Sequence, residues 1–337
     1  MKNFNPEKIF SDHREHYIKI LKPLFMPDDP IINEIVLYFS SILRVLGMED
    51  KGWDPYAESR KMLNDINRLM KIKLPKDKFP DDWTAWRLGL ILYGHIVEMD
   101  APYEVITNLL RFRLGKGYSP NPYFDLLKTK EKSNFERNGI RTYRKIELIK
   151  ALSKDAGLEI GQIYDDFYNA RLRNAVQHSD FIFSDDYFRS RNGISGVNAF
   201  KLTYAELDSL IIRAKAFIAA YFQIEMDTRA VWGLRKGEAI PYDARYKGLI
   251  EILADDCDLL CGFAVYWPNG SRSLYRRTES GSEMVNCMVN VRDANLDLWV
   301  GLYAKNPGTF SPLVEVGAEP IYHPLNANQL RPSWPQP

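Results

Sequence analysis

Residues 171–180 read RLRNAVQHSD, and the stretch leading into them, residues 158–170, reads LEIGQIYDDFYNA. Ile160, Ile163, Phe167 and Ala170 recur at the spacing of one helical face, which predicts a single amphipathic helix over 158–178. The same line runs on into Asn174 and His178, so two polar residues end an otherwise apolar stripe. Arg173 lies beside the stripe.

This is the one place in the chain where a permanent cation and a near-neutral proton carrier come so close. Arg173 can hold a phosphate, and His178 can move a proton near pH 7. Residues five apart stand about 140° apart on a straight helix of 3.6 residues per turn. Arg173 and His178 therefore face one phosphate only if the helix ends near His178, or if the site lies in a groove between two copies of it. The second arrangement predicts a dimer with a shared cleft.

The chemistry that fits is cleavage of an RNA phosphodiester without a metal. A histidine takes the proton from a 2′-hydroxyl or supplies one to the leaving 5′-oxygen, and an arginine stabilises the charge that develops on phosphorus. The product would carry a 2′,3′-cyclic phosphate. The plain structural alternative also stands: Asn174 and His178 as satisfied polar groups tying the helix to the next loop, with Arg173 paired to Asp165, Asp166 or Asp180.

Arg173 to His178 resembles the Arg-x4-His signature of HEPN domains, often written with a polar residue after the arginine, here Asn174. That resemblance covers roughly residues 81–223 and implies a helical bundle that is frequently a metal-independent, dimeric ribonuclease. Such domains occur in toxin–antitoxin, anti-phage defence and CRISPR-associated proteins. It implies catalytic Arg173 and His178 with Asn174 supporting, no cofactor, and RNA, an antitoxin or another protein as partners. It equally allows a non-catalytic module that binds nucleic acid or protein. The first 80 residues and the C-terminal end lie outside it.

Working outward, Asn5–Phe25, a segment starting at Pro30 with Ile32, Ile35, Val36, Phe39 and Leu43, then Tyr56–Ile72, Asp81–Met99 and Pro102–Leu114 all read as helices. Gly115–Gly139 is rich in Gly, Pro, Asn and Lys and reads as a long loop; helicity resumes near Ile140. After the motif, Phe181–Phe200 with Asn192-Gly193 predicts a small hairpin. Thr203 and Glu206 form a capping box, with Leu202 and Leu207 as the matching apolar staple, for a helix running to about Phe222. Tyr242–Ala254 reads as a short helix. Leu259–Trp267, Ser271–Arg277, Met284–Val291 and Leu296–Tyr303 read as strands, and Gly317–Pro337 as irregular.

The expected fold is thus mainly α: a HEPN-like bundle with an inserted hairpin over 1–230 (core 81–223), then a small β-rich (α+β) C-terminal domain over 240–337. Two domains also suit a chain of 337 residues.

Two further groups of residues are candidates for the site. His95 and Glu98 are three apart on one helical face, and Glu98 is placed to orient Arg173 or His178 from a neighbouring helix, with His95 beside it as a buried polar pair. A metal reading of this pair would need a matching Glu-x-x-His, which the sequence lacks. Between Asn108 and Lys150 there are eleven Lys and Arg against four Asp and Glu. Arg111, Arg113, Lys116, Tyr118, Lys128, Lys130, Arg141 and Arg144 form a candidate RNA track, joined by Arg189 and Arg191 on the hairpin. The bland reading is a solvated basic face.

The net charge of +1 argues against a whole-chain polyelectrolyte binder. Cys257, Cys261 and Cys287 are too few for a disulfide framework and read as free, mostly buried thiols. No phosphate-cradling glycine loop and no Gly-x-Ser-x-Gly elbow is present. No apolar run reaches the ~20 residues of a membrane helix and residues 1–10 lack a signal core, so a cytoplasmic protein is the default expectation.

Overall fold

Pro6 near a helix start and the Thr203–Glu206 capping box mark where two of the described helices begin. The computed structural model describes residues 5–27, 35–44, 55–79, 83–119, 121–190, 200–237, 239–241, 249–266, 272–278 and 281–285. The described part is mainly helical. Its helices are α1 (Pro6–Phe25), α2 (Ile35–Leu43), α3 (Pro55–Leu69), α4 (Trp83–Glu98), α5 (Asp100–Arg113), α6 (Thr129–Asn138), α7 (Thr142–Asp155), α8 (Ile160–Phe167), α9 (Ala170–Gln177) and α10 (Tyr204–Gly233). Strands β1 (Phe181–Phe183), β2 (Tyr187–Ser190) and β3 (Lys201–Thr203) form one antiparallel sheet. Strands β4 (Ala239–Pro241), β5 (Leu249–Ala254), β6 (Leu260–Tyr266), β7 (Arg272–Thr278) and β8 (Gly281–Val285) form a second, in chain order.

The chain divides into two compact units. The first gathers Met1–Lys22, Tyr56–Tyr103 and Asn138–Ile224. Its core is aromatic: Tyr17, Tyr93, Tyr103, Tyr164, Phe167, Phe188 and Phe217 are fully buried. Phe167 stacks on Phe217 with centroids 4.9 Å apart, and Tyr103 on Tyr164 at 5.4 Å. Such offset ring pairs add to the area they bury. At the start of α4, Trp86 stacks on Tyr204 at 4.2 Å and donates its indole N–H to Asp208 at 2.6 Å. The capping box forms as read: the Thr203 backbone N–H donates to Glu206 Oε2 at 2.8 Å, and the Glu206 N–H to Thr203 Oγ1 at 3.3 Å. Leu202 and Leu207 are both buried.

The second unit gathers Pro23–Pro55, Glu104–Arg137 and Glu225–Pro337. Strand β6 is buried along its whole length, as suits the middle strand of five. A Cβ at Gly262 would stand 2.2 Å from the Tyr275 carbonyl oxygen, so only glycine lets β6 and β7 approach so closely. Phe39 of α2 packs edge-on against Trp232 at 5.0 Å and also touches Phe263.

Four expectations need correction. The 158–178 helix is two helices, α8 and α9, broken at Tyr168 and Asn169, whose backbones are extended. Asn169 competes for the chain locally: its Oδ1 accepts the N–H groups of Arg171 and Leu172, both at 3.0 Å, the usual work of an N-cap. The stripe from Ile160 therefore does not run on into Asn174 and His178.

Second, Gly115–Gly139 is not a loose loop. Buried polar residues of α5 staple it: Asn108 exchanges two hydrogen bonds with the Ser119 backbone at 2.9 Å, and Arg111 reaches Asp125 and the Pro122 carbonyl. A short 3-10 turn at Phe124–Leu126 and helix α6 follow. Third, Leu249–Ala254 is strand β5 and not helix; a short apolar run does not by itself distinguish the two. Fourth, α10 runs past Phe222 to Gly233.

The hairpin exists, but its strands β1 and β2 turn at Ser184–Asp186. The Asn192-Gly193 turn lies outside the described residues, as do Leu296–Tyr303 and the tail from Gly317. Cys257 is exposed and Cys261 buried; Cys287 also falls outside.

Candidate active site

Helix α9 is short and held at both ends. At its start the Tyr93 hydroxyl of α4 donates to the Phe167 carbonyl at 3.1 Å and accepts the Asn169 N–H at 3.0 Å, bridging the break between α8 and α9. Burial pushes the Tyr93 hydroxyl's pKa far above its ordinary range, so it stays protonated and can play both parts. At its end, the Ser179 N–H reaches the Val176 carbonyl at 3.1 Å and the Asp180 N–H the Ala175 carbonyl at 2.9 Å. That is a Schellman motif. Ser179 takes the left-handed backbone, φ 52°, that this motif requires and glycine normally supplies.

Helix α4 crosses α9 closely at Gly94, where a Cβ would lie 3.1 Å from Val176 Cγ1. One turn further along α4, and one turn back along α9, Glu98 meets Arg173. The two helices thus run antiparallel here. Arg173 Nε donates to Glu98 Oε1 at 2.5 Å, and Arg173 Nη1 to Asn174 Oδ1 at 3.1 Å. Glu98 Oε2 accepts from the Thr142 hydroxyl at the start of α7, at 3.0 Å. The Glu98 hydrogen bond raises the Arg173 pKa further, against a smaller opposing effect of burial. Burial also raises Tyr168, whose phenol feels both Arg173 and Glu98.

His178 is the residue on which α9 ends, with φ −94° and ψ 3°. It is exposed, and its ring has no hydrogen-bond or ion-pair partner among the described residues. Of the two arrangements open to the motif, the helix does end beside His178. Asn174 is exposed as well.

Of the two residues proposed for Glu98 to orient, it bonds Arg173; no bond joins it to His178 among the described residues. Asp165 and Asp166 serve other partners: Asp165 pairs with Lys150, and Asp166 accepts the Tyr17 hydroxyl at 3.1 Å with His13 at 3.7 Å. His95 and Glu98 do not form a pair. The His95 ring bonds the Ser59 carbonyl at 3.1 Å, on the α3 side, while Glu98 serves Arg173. Thr142 and Tyr168 were not legible as members of the cluster, because nothing in their spacing ties them to residues 98 or 173.

The basic track divides. Arg111 is 2% exposed, with Asp125 on one guanidinium nitrogen at 2.6 and 2.8 Å, and Tyr118 and Tyr123 are buried. None of these three presents itself to a solvent-borne partner; they hold the 115–126 segment together. Arg113, Lys116, Lys128, Lys130 and Arg141 are exposed, and Arg144 pairs with Glu147 at 3.2 Å. On the hairpin Arg189 is exposed, and Arg191 lies outside the described residues.

Among the described residues no three His, Cys, Asp or Glu side chains gather as a metal site. None of their helices is long and apolar enough to cross a membrane. No protein-family model matches the chain, and no curated protein and no solved structure matches it either.

Proposed function

We propose that this chain is a HEPN-like, metal-independent endoribonuclease, acting as a homodimer and serving as a toxin or defence effector. The observation that carries the reading is the unengaged, exposed His178 ring at the end of the same eight-residue helix that presents Arg173. His178 takes the proton of a 2′-hydroxyl, the freed oxygen attacks phosphorus, and the 5′-oxygen leaves with a proton from the second subunit's equivalent histidine. The products are a 2′,3′-cyclic phosphate and a 5′-hydroxyl. Arg173 Nη2, which has no partner among the described residues, is the donor free to meet the phosphorane. Glu98 and Asn174 hold the rest of the guanidinium in place, as Thr142 holds Glu98.

The second reading, a non-catalytic HEPN-like module for nucleic acid or protein, is favoured by one fact: Arg173 is already neutralised by Glu98. One experiment separates them. Purified wild type degrades RNA while His178→Ala and Arg173→Ala do not, with all three folded by circular dichroism, if the enzyme reading holds. Intact RNA in all three supports the binding module. A solution mass of one chain would remove the shared cleft.

A further inference from the structure

The sheet β1–β3 has two unlike faces. One is apolar: Phe188 packs on Phe181 and Phe183, at 5.3 and 5.8 Å between centroids, and Leu202 is buried with it. The register puts Ile182 opposite Arg189, Arg189 opposite Lys201, and Tyr187 opposite Thr203. All five of these are exposed. They make up the outward face.

That face breaks an ordinary rule of sheet design. Like charges directly opposite one another destabilise an antiparallel pair, and opposite charges are preferred. Here Arg189 and Lys201 face each other across β2 and β3; the Glu206 carboxylate at the edge of this face is taken up by the Thr203 N–H and hydroxyl, and neither cation pairs with a carboxylate among the described residues. The same face leaves Ile182 45% and Tyr187 41% exposed, with the Lys201 ammonium 5.6 Å from the centre of the Tyr187 ring. Directly opposite side chains start about 5 Å apart, so one phosphate can be gripped by both cations. An exposed ring beside a phosphate grip is what a splayed-out nucleotide needs: charge for the backbone and a flat apolar surface for the base.

We propose that the outward face of β1–β3 binds single-stranded RNA, with a backbone phosphate between Arg189 and Lys201 and a base against Tyr187. A protein carboxylate would satisfy the cations but leave the exposed ring unused. The proposal rests on the RNA reading above for its substrate class and stands or falls separately from cleavage.

The test uses the full chain carrying His178→Ala, so that RNA survives, and a fluorescently labelled single-stranded RNA oligomer read by anisotropy. Arg189→Thr with Lys201→Thr replaces the repelling pair by a strand-favouring one and leaves the thermal midpoint unchanged or higher. It raises Kd at least tenfold and flattens the dependence of log Kd on log salt by about 0.7 for each phosphate no longer gripped. Tyr187→Ala raises Kd for the RNA several-fold while leaving inorganic polyphosphate binding unaltered. An unchanged Kd in the double Thr variant overturns the proposal, as does equal loss of polyphosphate and RNA binding in Tyr187→Ala, or no RNA binding by the His178→Ala parent. Cleavage is scored separately on the wild type. RNA cut by a chain whose binding ignores this face sinks only the face. Face-dependent binding without cutting sinks only the nuclease.

Discussion

Two buried tyrosines of the first unit make the same chemical change mean opposite things. Tyr93 spends its hydroxyl on both sides of the α8–α9 break, donating to Phe167 and accepting from Asn169. Tyr164 is just as buried, at 1% exposure, yet its hydroxyl has no partner among the described residues. Tyr93→Phe removes two hydrogen bonds worth about 1 kcal/mol each and strands a buried carbonyl, for a loss of about 2–3 kcal/mol. Tyr164→Phe removes only an unsatisfied polar atom, and should be neutral or stabilising by about 1 kcal/mol. Urea unfolding followed by circular dichroism, with equal slopes required before midpoints are compared, reads both. The first variant should also expose amides of residues 167–172 to faster hydrogen exchange, since α9 loses its anchor. Equal destabilisation by the two substitutions, or a Tyr93→Phe loss under about 0.5 kcal/mol, would refute the claim that the Tyr93 hydroxyl anchors the break between α8 and α9.

Burial and Arg213 lower the His13 pKa below its ordinary 6.5, with His16 adding to them, while Asp166 and Asp12 oppose. The folded state therefore binds this proton less well than the unfolded chain. The stability it confers is present above about pH 6.5 and is lost as pH falls through the lowered value; His13→Gln should flatten the thermal midpoint between pH 7 and 5. Thr203→Ala removes the side-chain half of the α10 capping box, the Glu206 N–H to Thr203 Oγ1 bond, and leaves the backbone half; it should cost about 1 kcal/mol, measured by urea midpoint, and Ser at the same position should restore most of it. Arg111→Met breaks the buried pair with Asp125. Because Asp125 is half exposed, the cost should be about 2–3 kcal/mol, below that of a fully buried pair, with faster hydrogen exchange over residues 116–126.

The helices were legible because their signals are local. Pro6, the Thr203–Glu206 box and the apolar spacing of α4 each act within a turn or two, and the structure places α1, α4 and α10 where those residues say. The 115–126 segment and strand β5 differ from their sequence reading for one physical reason, partners distant in the chain. Thr107, Asn108 and Arg111 look like an outward helix face until their partners, up to sixteen residues on, bury them. The apolar run ending at Ala254 becomes a strand because β6 offers it a ladder. Asn169 is a local signal that was there to be read: an N-cap residue placed immediately before α9. At the site, the link from Glu98 to Arg173 follows from chemistry of matching type on neighbouring helices. The separation of His95 from Glu98 does not, because a three-residue offset fixes a shared helical side but not which neighbouring helix each side chain meets.

The central claim concerns one imidazole and one guanidinium, and the ends of the cut RNA report on it most directly. In the presence of EDTA, wild type should leave 2′,3′-cyclic phosphate and 5′-hydroxyl termini, and His178→Ala should leave the RNA whole. Termini bearing 3′-hydroxyl and 5′-phosphate, cleavage abolished by EDTA, or a His178→Ala chain that cuts as well as the wild type would each contradict the account.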